Sequence, residues 1–122
     1  MPDHVDIERE IRDELRYFVS DEERRVFSAY RIEPREYTQS WQYDDETHSC
    51  IVVASDGKKQ IVYCRTGFGP EFSWSTQRIG ETDLGMDCDW HAYLYEAFVC
   101  STMWPFPRPK GFVLMARGER VD

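Results

Sequence analysis

Cys88 and His91 lie three residues apart at a point where the chain is expected to enter a helix. Backbone amides at a helix start would stabilise a thiolate, and a thiolate beside an imidazole is the core of nucleophilic catalysis. Asp87 and Asp89 flank the cysteine and oppose this, because nearby negative charge disfavours the thiolate. No third residue presents itself to orient the histidine or build an oxyanion hole. A buried thiol and a helix-surface histidine are the simpler reading.

Other constellations are weaker. The three histidines, His4, His48 and His91, form no H-x-x-x-H pair. His48 and Cys50 would share one face of a strand without completing a tetrahedral site, so no metal is expected. Gly67-Phe68-Gly69-Pro70-Glu71-Phe72 begins like a phosphate-binding loop. Its third glycine is missing, and Glu71 would repel an anion. Asp44-Asp45-Glu46 reads as a solvated turn that a basic protein could also recognise. Asp83, Asp87 and Asp89 form a second acidic group, in which Asp89 is most simply a helix N-cap. Phe68, Phe72, Trp74, Trp90, Tyr93, Trp104 and Phe106 are dense enough for either a core or an aromatic interface anchor.

The elements that must position these residues follow from periodicity. Ile7, Ile11, Leu15, Phe18 and Val19 repeat at helical spacing over residues 5–19. Ser20-Asp21-Glu22-Glu23 is a capping-box pattern opening a second helix to about Arg31, with Val26, Phe27 and Tyr30 apolar and Pro34 as its stop. Strands are expected over residues 37–43, 50–54 and 60–64, the last two joined by an Asp56-Gly57 hairpin. Phe72-Ser73-Trp74-Ser75 adds a short strand, and Ile79 to Met86 a loop. A third helix is expected from Trp90 to about Met103, then a last strand at Phe112–Met115. The reading is a single α+β domain over 1–122: two N-terminal helices and one C-terminal helix on an antiparallel meander of four to five strands.

The chain carries 15 basic and 23 acidic residues among 122, a formal charge of −8. Residues 1–46 hold 14 acids and 7 bases, so the imbalance is concentrated early. Such a charge disfavours nucleic acid and anionic membrane as partners and favours a basic protein. No leader-like or membrane-spanning stretch is legible, so a cytoplasmic protein with reduced, mostly buried cysteines is expected.

The second half also resembles a family. Gly69, Pro70, Phe72 and Trp74, then Gly85, Met86, Asp87 and Trp90, then Glu96, Ala97, Phe98 and Ser101, then Gly111 match its motifs, over about residues 61–112. Ser73 stands where proline is usual, and Cys88 where serine is. The family is similar to the small cytoplasmic immunity proteins encoded beside secreted bacterial polymorphic toxins, contact-dependent and type VI effectors included. The resemblance implies a non-enzymatic, cofactor-free protein that binds one cognate toxin, with a basic toxin favoured by the charge. Expected contacts are Asp44, Asp45, Glu46, Glu71, Trp74, Asp83 and Asp87, with acids steering association and Trp74 as the desolvated anchor. Two alternatives stand beside it: a small enzyme or ligand-binding domain using Cys88 and His91 in an aromatic pocket, and an adaptor working through the N-terminal helices; the charged face and the aromatic patch could each also serve as a homodimer surface.

Overall fold

A computed structural model describes residues 6–40, 46–66, 71–81, 89–108 and 112–115. Among the described residues, three helices and a five-stranded antiparallel sheet make an α+β fold. The order is α1 (Ile7–Leu15), α2 (Asp21–Tyr30), β1 (Arg31–Ser40), β2 (Thr47–Ser55), β3 (Lys59–Tyr63), β4 (Trp74–Arg78), β5 (Asp89–His91) and α3 (Leu94–Val99). The strands pair in sequence order, β1 to β5, as a meander.

Local chemistry sets the helix ends. Ser20 Oγ accepts from the Glu23 amide at 3.1 Å, and Glu23 Oε1 accepts from the Ser20 amide at 3.0 Å. That is the expected capping box. α1 stops at Leu15, short of the expected residue 19, which leaves Val19 72% exposed. Pro34 does not end α2. The helix gives way at Arg31, whose ψ of 141° is already extended, and Pro34 lies inside β1. The β1–β2 register shifts between Arg31 and Arg35, and the β2–β3 register shifts between Val52 and Ala54. β1 is an edge strand, so a proline costs little at this irregularity. The Asp56-Gly57 turn forms as expected, with Gly57 at a φ of 90° that favours glycine.

The expected third helix is corrected most. Residues 89–91 are a strand, in which Trp90 pairs with Ser75 and His91 with Trp74. α3 then runs only from Leu94 to Val99, with Tyr93 at the N-cap position, so Asp89 is no cap. Glu14 serves instead: its Oε1 accepts from the Leu94 amide at 2.9 Å. All six α3 side chains are buried. Phe112–Met115 belongs to no strand.

The helices cover one face of the sheet. Ile11, Phe18 and Phe27 meet Val53, Ile61, Tyr63, Trp74, Leu94 and Phe98 in the main core. The opposite, inner face carries Cys50, Val52, Val62 and Cys64, with Ile32, Tyr37 and Trp90 against them. Buried Gln39, His48, Gln60, Ser75 and Gln77 complete it.

The inner face is concave. In a flat sheet β1 and β4 lie about 14 Å apart. Yet Gln39 Nε2 donates to Gln77 Oε1 at 2.9 Å, and Gln77 Nε2 donates back to Gln39 Oε1 at 3.2 Å. Tyr37 Oη donates to Gln77 Oε1 at 3.0 Å. Gln39 sits at the far end of β1 and Gln77 near the opposite end of β4. Twist and curl together have brought two diagonal corners of the sheet into contact.

Candidate functional site

Two features outside the main core are candidates: a pair of acidic segments and an aromatic-lined cavity. Residues 41–46 hold three acids and residues 81–89 hold four, with no base in either segment. Those seven acids nearly equal the whole net charge of −8. The curl joins the segments' origins, because Gln39 Nε2 also donates to the Glu81 carbonyl at 3.0 Å. Glu81 opens the second segment, and Gln39 lies two residues before the first. Glu46, where the first segment meets β2, is exposed.

The helices contribute less. Residues 6–40 hold ten acids and seven arginines. Two of the acids, Glu14 and Glu23, are buried and hydrogen-bonded. The surface of this stretch is therefore close to charge balance, partly tied in pairs such as Arg31 with Glu8 at 2.6 Å.

The cavity holds about 180 Å³ and is lined by Phe72, Trp90, His91, Ala92, Glu96, Leu114 and Met115. That volume admits one ring-sized group. Strand pairing to β4 sets Trp90 and His91 at its wall, while the turn after Glu71 brings in Phe72. Glu96 Oε2 accepts from the Met115 amide at 2.8 Å, which draws residues 112–115 across the site. Phe72 is 39% and Leu114 61% exposed. Exposed Glu71 adjoins Phe72 in sequence.

Of the residues expected at a partner surface, Glu46 and Glu71 are exposed. Asp44, Asp45, Asp83 and Asp87 lie outside the described residues, as does Cys88. Trp74 is corrected. It is 2% exposed and packs on Tyr63 with ring centroids 4.7 Å apart. β-alternation turns it into the helix-covered face, so it presents nothing to a partner. Trp90 and Phe72, not Trp74, line the cavity. Phe72 lay within the aromatic group and the Gly-Pro motif, but nothing local marked it as the exposed member.

Among the described residues, no group of three His, Cys, Asp or Glu side chains could hold a metal ion. His48 Nδ1 lies 2.9 Å from Thr66 Oγ1. Among the described residues, no helix is long and apolar enough to cross a membrane. Comparisons with protein-family models, curated proteins and solved structures find no match for this chain.

Proposed function

We propose that this chain is an immunity-type inhibitor that binds and neutralises one cognate toxin domain of basic surface. The observation that supports this most is the Gln39–Glu81 contact, which brings together the points where two base-free acidic segments begin. A focused negative field raises the encounter rate with a basic protein. The aromatic-lined cavity supplies what acids cannot, a site to desolvate one partner side chain between Phe72 and Trp90. An occluding inhibitor needs no catalytic residues or cofactor, and it works where its toxin would act, in the cytoplasm.

The test is co-expression with the protein encoded immediately beside it, then co-purification across a salt series. A complex that weakens with salt is expected, with Asp44→Asn/Asp45→Asn/Glu46→Gln flattening the salt dependence and Phe72→Ala speeding dissociation. Absence of binding at near-physiological salt sinks the proposal.

A second reading takes the cavity as a small-ligand site, favoured by His91 and Trp90 in its wall. The isolated chain separates the two: a small-ligand site binds a ring-sized molecule with no partner protein present, whereas an inhibitor's cavity is filled only in the complex.

A further inference from the structure

Cys50 and Cys64 stand directly opposite each other on neighbouring strands. The β2–β3 register pairs Ile51 with Tyr63; continued one step it sets Cys50 opposite Cys64, and the two thiols share a side-chain hydrogen bond. The type of pair follows from one hydrogen bond. The Cys64 amide donates to the Ser73 carbonyl at 2.8 Å, so the Cys64 backbone faces away from β2. Cys50 and Cys64 are therefore a non-hydrogen-bonded antiparallel pair. Such pairs have Cα atoms about 4.5 Å apart, with side chains closest. That separation falls within the range a disulfide spans. Both side chains point to the inner face, both are 0% exposed, and both are thiols.

We propose that Cys50 and Cys64 form a closable cross-strand staple, oxidised to a disulfide by a low-molecular-weight disulfide. The Cys64 thiolate attacks one sulfur of oxidised glutathione and releases a first glutathione thiolate. Cys50 then gives up its proton, and its sulfur attacks Cys64 Sγ and releases the second. Two protein thiols are oxidised, and one external disulfide is reduced to two thiols.

The surroundings assign these roles. The Cys50 thiol is pushed far above the ordinary range by its hydrogen bond with Cys64, by burial and by the charge Cys64 would carry. Of two facing thiols only one ionises at a time, and the place of Cys64 at the strand end makes it the attacking sulfur. Cys64 lies one residue past the end of β3, followed by exposed Arg65 and Thr66. Fraying of that end admits the oxidant without opening the sheet.

The experiment treats the folded protein with oxidised glutathione in steps, and in parallel refolds it from urea in the same buffer. Acid quench, alkylation and peptide mapping follow. The expected product has lost about 2 Da and carries one bridge between the peptides of Cys50 and Cys64. Its loop closes over about 15 residues, so the unfolding equilibrium constant should fall roughly 100-fold with the far-ultraviolet spectrum unchanged. Cys50→Ala should stop at a glutathione adduct on Cys64, whereas Cys100→Ser should still form the bridge. The proposal is overturned if both arms leave Cys50 and Cys64 alkylatable, or bridge either of them to Cys88 or Cys100. It is equally overturned if the bridged chain loses its sheet spectrum.

Discussion

The contact that shapes the molecule is the pair of amides shared by Gln39 and Gln77, and it can be broken one side at a time. Gln77 Oε1 accepts from Gln39 Nε2 and from Tyr37 Oη, while its Nε2 donates to Gln39 Oε1. Gln77→Leu keeps the volume and deletes three hydrogen bonds inside a buried face. Each is worth about 1 kcal/mol net, and a buried group left without its partner costs more. Gln39 Nε2 keeps the Glu81 carbonyl, and Tyr37 Oη still accepts from Gln60 Nε2 at 3.3 Å while its own proton loses its acceptor. The expected loss is about 2–3 kcal/mol. Gln39→Leu should cost a similar amount.

The double variant decides the matter. With both amides replaced by leucine, neither is stranded by the other's loss, and the two apolar side chains meet across the curl. The double variant should therefore be more stable than the sum of the singles by about 1–2 kcal/mol. Urea unfolding followed by tryptophan fluorescence on all four proteins reads this coupling directly. Additivity within about 0.5 kcal/mol would show that the two amides do not act as a unit. The claim that this contact holds two sheet corners together would then be wrong.

Other consequences are simpler to check. Glu14→Ala should cost about 1–3 kcal/mol in thermal unfolding by leaving the buried Leu94 amide without its acceptor, and Glu14→Gln should cost less because an oxygen remains. Ser75 Oγ is buried without a hydrogen-bond partner. Ser75→Ala should therefore be neutral or stabilising by up to about 1 kcal/mol, and a clear loss would reveal an unrecognised role. Burial disfavours the ionised Asp56, but this is outweighed by hydrogen bonds from the Thr102 hydroxyl and the Lys59 and Lys58 amides, which hold its carboxyl below the usual value. A depressed carboxylate stabilises the fold above its unfolded-state pKa. That share is lost as pH falls through the folded value, so Thr102→Ala should flatten the urea midpoint's decline below roughly pH 4. Trp74→Ala should destabilise by about 3–5 kcal/mol, while Trp74→Phe should leave partner affinity unchanged.

What the chain reveals before folding depends on the range of each interaction. The Ser20–Glu23 box and the Asp56-Gly57 turn are contacts within a few residues, and both are legible. Trp90, Leu94, Ala97, Phe98 and Ser101 do fall at helical spacing. Trp90 and His91 nevertheless join β4, because Ser75 and Trp74 offer them a ladder that no local window contains. Trp74 fails as a surface anchor for the same reason. Its type suits an interface, but its parity on β4 turns it toward Tyr63. Gln39 and Gln77 lie 38 residues apart with no shared pattern, so the curl was invisible. The exposure of Glu71 and Glu46 was legible because acids between strands have little to bury against.

Net charge is a poor guide to where a partner would sit until burial and position are known. The early excess of acids suggests the N-terminal helices as the docking face. Folding removes much of that suggestion: Glu14 caps α3, Glu23 closes its own helix and accepts from Tyr95 Oη at 3.2 Å, and the arginines offset the rest. The remaining base-free acids fall in two segments distant in sequence, 41–46 and 81–89, and Gln39 beside the first contacts Glu81 at the start of the second. Steering falls off within about 10 Å in moderate salt, so where the charges sit matters more than their number. It follows that the adaptor alternative, which relies on the helices, predicts weak salt dependence. An inhibitor working through these segments predicts a strong one, and the same salt series separates them.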